Sequence, residues 1–146
     1  MMSLRLLVFS GLTLGALGGC TDDDAGAVDY QRSGGFVGNR LSLHVDPGGK
    51  ATRMAPDGKT VIDQLDATTM ADLQSKIDGA QFPTLDPVYS CNCADDFLHE
   101  ITVHVGGTEY TVKVDDTATF PARLQPLIDD LELLAGVVVI ASNPQP

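Results

Sequence analysis

The sequence predicts an α+β fold, a small antiparallel sheet with two helices packed on one face. Three observations carry that reading. Leu41, Leu43 and Val45 alternate with Arg40, Ser42 and His44, the period-two pattern of a half-buried strand. The same alternation runs from Phe97 to Val105 and again from Tyr110 to Val114, with Gly106-Gly107 between them as a hairpin turn. Two other stretches, around Leu73 and Leu127, instead space their apolar residues along one side of a helix.

Taken in order, Val28 to Arg32 is the first predicted strand, followed by the glycine-rich turn Ser33-Gly34-Gly35-Phe36-Val37-Gly38. After the Leu41 strand, Asp46-Pro47-Gly48-Gly49 is a strong turn, and Lys50 to Met54 returns as its partner. Asp57-Gly58 turns the chain into a short strand over Lys59 to Leu65. Asp66 is the predicted N-cap of a helix over Ala67 to Asp78, with Met70, Leu73 and Ile77 on one face and Gly79 closing it. Phe82 to Pro87 reads as an extended connector into a loop bearing Cys91 and Cys93. Pro121 opens the second helical segment; Pro126 either confines its regular part to the residues after it or lies in its first turn. Leu124, Leu127, Ile128, Leu131 and Leu134 form its apolar stripe, and Gly136 its C-terminal cap. Val137 to Ile140 is either a final strand or an apolar appendage, and residues 142–146 are a polar tail.

The N-terminus is of another kind. Arg5 precedes an apolar run from Leu6 to Leu17, the layout of a secretory signal, and small residues lead into Cys20. Leu17-Gly18-Gly19-Cys20 resembles the lipobox of bacterial lipoproteins. That resemblance implies cleavage after Gly19 and lipid on Cys20, hence a bilayer as partner and residence in the cell envelope. An ordinary secretory signal or a short membrane anchor is the alternative, but the run is short of the roughly 20 apolar residues a spanning helix needs. In a Gram-negative cell, Thr21 rather than Asp after the lipidated cysteine favours the outer membrane. The expected organisation is a signal over residues 1–19, an acidic tether over 20–27 built on Asp22, Asp23 and Asp24, and one domain over 28–141.

The net charge of −11 argues against nucleic acid as a partner. With Cys20 lipidated, an exported chain retains Cys91 and Cys93, for which a disulfide is the favoured state. Free thiols and metal or redox chemistry are the other possibilities. His99 and His104 are an odd number apart and point to opposite strand faces, so they do not converge on one metal. No nucleophile elbow, metalloprotease helix or phosphate loop is present, and the pairs Asp95-Asp96 and Asp115-Asp116 read as strand-end solubility. No catalytic residue, cofactor or metal is expected.

One pattern points further. Arg32-Ser33-Gly34-Gly35-Phe36-Val37-Gly38 after an opening strand is similar to the start of the emfourin family, small inhibitors of thermolysin-like metalloproteases of the protealysin type. The likeness extends through the Leu73 helix, the Asp96-Phe97 strand with its Gly106-Gly107 hairpin, and Pro121 with the leucine stripe. It implies an inhibitor of a metalloprotease; joined to the lipobox, the reading is a membrane-tethered, non-enzymatic binding protein whose partner is a metalloprotease or another envelope protein. An inhibitor needs a rigid loop with preformed geometry, and the glycine-rich turn over residues 33–38 with its aromatic residue is the candidate binding loop. Phe36 is then either a contact residue or, preferably, a plug in the core. The alternative is a structural envelope lipoprotein without inhibitory activity. The lipobox, the long Lys50 to Leu65 hairpin and the cysteine pair depart from the family pattern.

Overall fold

A computed structural model describes residues 27–35, 38–91 and 93–137. The signal region, Cys20, Phe36, Val37 and the segment after Val137 lie outside the described residues. Among the described residues seven strands form one sheet: β1 (Val28–Gly34), β2 (Asn39–Val45), β3 (Lys50–Met54), β4 (Thr60–Gln64), β5 (Val88–Tyr89), β6 (Phe97–Val105) and β7 (Thr108–Asp115). Their order is β4-β3-β2-β1-β6-β7-β5, antiparallel except for the β5–β7 pair. The sheet is therefore larger than the small one expected, while the α+β class stands.

Among the described residues, the helices cover one face of the sheet. Val28, Tyr30, Leu43, Val45, Ala51, Ile101, Val103, Val112 and Val114 are buried toward the helices α1 (Ala67–Ala80) and α2 (Gln125–Ala135), which supply Leu73, Ile77, Leu127, Ile128 and Leu131. The alternate residues, among them Asp29, Gln31, His44, Glu100, Thr102 and Lys113, form a polar outer face. β4 lies beyond the helices, and all five of its residues are exposed. Ala27 is already buried just before β1.

Several boundaries differ from those the sequence predicts. β1 continues through Ser33 and Gly34, because both pair with Arg40 and Asn39 on one side and with Leu98 and Phe97 on the other. α1 does not stop at Gly79. Ala80 and Phe82 are buried, so the helix runs two residues past Asp78, and Gln81 takes the left-handed conformation (φ 55°) that ends it. The expected extended connector holds a 3₁₀ turn, Phe82–Thr84, and then β5. Arg123 locks that turn, donating from Nε to the Ala80 carbonyl (3.0 Å) and from a terminal nitrogen to Thr84 Oγ1 (2.9 Å). A second 3₁₀ turn, Ala122–Leu124, precedes α2, and Pro126 sits in the first turn of that helix, where no N–H is required. Asp66 caps α1 as expected, accepting from the Thr69 N–H at 2.8 Å, which holds its carboxyl below the usual range.

The helices are tied to each other by Lys76, whose ammonium meets Asp72 one turn back and Asp130 of α2 at 2.9 Å. Leu127 is fully buried between α2 and the sheet. Leu127→Ala is expected to lower unfolding free energy by about 2–5 kcal/mol, the range for a cavity left by a buried leucine. Denaturant titration checks this, and a loss well under that range would show that the site refills.

Candidate functional site

The glycine turn, the cysteine loop and the segment after β7 meet at one end of the sheet. β1 delivers Gly34 (φ 122°) and Gly35 (φ 69°) to that end, and Gly38 N–H donates to the Gly35 carbonyl at 3.0 Å to close the turn. The turn is fastened to the start of β6: Gly35 N–H donates to the Asp96 carbonyl at 3.2 Å. The approach is close enough to demand glycine. A Cβ on Gly34 would lie 2.3 Å from the Asp96 carbonyl oxygen, and one on Gly35 would lie 2.7 Å from the Phe97 ring.

Beneath the turn runs a chain of polar side chains that the alternation of β1 and β6 brings onto the covered face. The Arg32 guanidinium carbon stands 3.6 Å from the Phe97 ring centroid, a cation–π contact. Arg32 also pairs with Glu132 of α2 at 3.1 Å and more loosely with Asp116 at 3.8 Å. Asp116 bonds His99 Nε2, and His99 Nδ1 lies 2.8 Å from the Tyr30 hydroxyl. Burial, and secondarily Glu132, raises the Tyr30 phenol above its ordinary value. Tyr30 and Asp116 thereby engage both ring nitrogens of His99. His99 is thus a satisfied core histidine on the apolar face. At 2% exposure, with both nitrogens engaged, it offers no base to an outside substrate.

The cysteine loop is fixed by carboxylates. Asp115 accepts from Ser90 Oγ at 2.6 Å and from the Cys91 N–H at 3.1 Å. Asp96 accepts from the Thr117 hydroxyl (2.7 Å), the Thr117 N–H (3.2 Å) and the Phe97 N–H (3.0 Å). The Thr117 bonds foremost hold its carboxyl below the usual range. The Cys91 and Cys93 sulfurs are within bonding distance, with their Cα atoms 5.2 Å apart. Among the described residues, ligand atoms of Cys91, Cys93 and Asp96 lie within 4.8 Å of one another, a spacing that a metal ion could share.

The residues singled out in the sequence are therefore partly brought together. Ser33, Gly34, Gly35 and Gly38 form or flank the turn, and Cys91 and Cys93 lie on the neighbouring loop across Asp96. Phe36, Val37 and Cys20 are outside the described residues. The acidic pairs, expected to serve solubility, prove to be structural: Asp96, Asp115 and Asp116 each hold a loop or a buried partner. Arg32 is legible as a site residue only through its parity with Val28 and Tyr30 on the covered side. The other two histidines stand apart on the outer face, His44 with Asp29 at 2.8 Å and His104 with Glu109 at 3.3 Å. Among the described residues no helix is long and apolar enough to cross a membrane.

A sequence model of the family described as Emfourin matches residues 45–132, from the last residue of β2 to within α2. The match covers α1, most of α2, the cysteine loop and the β6–β7 hairpin, while the glycine turn falls before it. No curated protein matches the chain.

The fit at Gly34 is directly testable. Gly34→Ala is expected to cost roughly 1–3 kcal/mol, since the backbone conformation and the Asp96 carbonyl both resist a side chain. Gly58→Ala, at a positive φ but with open space around it, should cost less. Equal losses in thermal unfolding would show that the close approach to Asp96 contributes nothing.

Proposed function

The chain belongs to the Emfourin family, and on that premise we propose that it is a non-enzymatic, lipid-anchored module that binds and inhibits a thermolysin-type metalloprotease. The family's members are inhibitors rather than enzymes and imply a metalloprotease as the kind of partner. The observation that carries the reading to particular residues is the fastening of the glycine turn to Asp96 and Phe97. An inhibitor must present a loop to an active-site cleft without the flexibility that lets it be cleaved productively. A loop already held by a main-chain hydrogen bond and an aromatic ring loses little conformational freedom on docking. Residues 33–38 are assigned as that loop, and replacement of Phe36 decides between its two roles, contact residue or core plug. Residues 1–19 are assigned as a signal and Cys20 as the lipid-bearing residue that holds the protein in the envelope.

The full chain is expected to inhibit a thermolysin-like protease saturably, and Phe36→Ala to weaken that inhibition by about 2 kcal/mol, roughly thirtyfold. Thermal unfolding of the variant separates a lost contact from a damaged core. Absence of inhibition across several such proteases would leave an envelope lipoprotein without inhibitory activity.

Anchoring has its own test. With lipidation as its only anchor, Cys20→Ala should move the protein from the membrane pellet to the soluble fraction. Unchanged pelleting would remove Cys20 as the anchor.

A further inference from the structure

We propose that Cys91, Cys93 and Asp96, with the two cysteines reduced, form a three-ligand site for a thiophilic divalent cation such as Zn²⁺ or Cd²⁺. The Cys91–Cys93 disulfide is the alternative state of the same loop, the one that excludes the metal. This assignment stands independently of the inhibitory reading.

Asp96 places an oxygen 3.4 Å from Cys91 Sγ and is held there by both the N–H and the hydroxyl of Thr117. A disulfide sulfur has no proton to give that oxygen, and two thiolates beside it would repel it. A cation between them satisfies all three groups at once. Two sulfurs and one oxygen suit a borderline-soft ion with tetrahedral preference. Cys93 is exposed and Cys91 partly buried, so the fourth position opens to solvent.

The surroundings are those of a supported site rather than a chance encounter. Cys93 N–H donates to Cys91 Sγ at 3.2 Å, and the Thr117 hydroxyl lies 3.0 Å from the same sulfur. The Cys91 backbone is fixed by Asp115 at the end of β7, and Asp96 abuts the start of β6, so two of the three ligands are anchored at strand ends. None of the three histidines competes for the position, each being paired with a carboxylate elsewhere.

The chemistry balances in both directions. On metal uptake each thiol releases its proton to solvent as its sulfur takes the cation. On oxidation by a disulfide-bearing oxidant, two electrons leave the thiolates, the Cys91–Cys93 bond forms, the oxidant's disulfide becomes two thiols, and the cation departs.

The test uses the full chain carrying Cys20→Ala, which leaves two thiols among its three cysteine positions. After reduction with a phosphine, Cd²⁺ is titrated in and thiolate-to-metal charge-transfer absorption is followed, with stoichiometry read by native mass spectrometry. One Cd²⁺ per chain is expected, and the oxidised chain should retain none. Asp96→Asn should weaken binding about tenfold or more, on the scale at which even outer ligand partners act. Asp95→Asn should leave binding unchanged. Thr117→Ala, which keeps the charge of Asp96 but removes the hydroxyl that aims it, should weaken binding in the same direction and covers the case of a misfolded Asp96→Asn. No charge-transfer band in the reduced chain, binding by Asp96→Asn equal to the parent, or equal losses in Asp95→Asn and Asp96→Asn would overturn the proposal.

Discussion

A guanidinium on the covered side of a central strand has to be neutralised where it stands, and Arg32 is in that position. β1 pairs along its whole length with β2 on one side and β6 on the other, so the strand cannot rotate Arg32 outward without abandoning both ladders. The charge is met instead by Glu132 of α2, by Asp116 after β7 and by the face of Phe97 in β6. Leaving such a charge without partners would cost several kcal/mol, more than most single contacts supply. The register of β1, the docking of α2 and the course of the chain after β7 are thus coupled through one side chain. His99 extends the coupling inward by bonding Asp116, and Tyr30 by bonding His99 in turn.

Asp96 plays the corresponding part at the surface. Its carbonyl receives the glycine turn, and its carboxylate faces the Cys91 sulfur and binds Thr117. Two loops that are far apart in sequence therefore share a single residue, through its main chain in one case and its side chain in the other. A shift of the cysteine loop cannot leave the base of the glycine turn untouched. Whatever docks at this end meets a composite of both loops.

Much of the fold is legible from periodicity alone. β2, β6 and β7 announce themselves by alternation, and α1 by Asp66 and the Leu73–Ile77 spacing. What escapes does so for physical reasons. β5 is two residues long and gains its pairing from β7, a partner later in the chain, so no local pattern marks it. The end of α1 is hidden because glycine is the usual helix stop, whereas burial of Ala80 and Phe82 moves the left-handed residue to Gln81. At the candidate site, the glycines and cysteines are visible as residue types, but not the role of the acidic residues between them. Asp116 reaches His99 across a strand pair, and Asp96 reaches Thr117 across the same pair; neither has a signature in linear sequence. Arg32 and His99 do carry one, a polar residue in phase with the apolar side of its strand.

The uncovered rim at β4 sets a limit of a different kind. Among the described residues nothing pairs with its outer edge, and Val61 and Ile62 stand 46% and 60% exposed. Such an edge is a template for another chain's strand, the route by which sheets grow end to end. Asp57, Lys59 and Asp63 flank the apolar pair as gatekeepers. The overall charge of −11 adds mutual repulsion between molecules. Because that repulsion is screened beyond about 8 Å at physiological ionic strength, the colloidal stability of this protein is a property of its buffer as much as of its fold: concentrated salt removes the barrier while leaving the sticky strand in place.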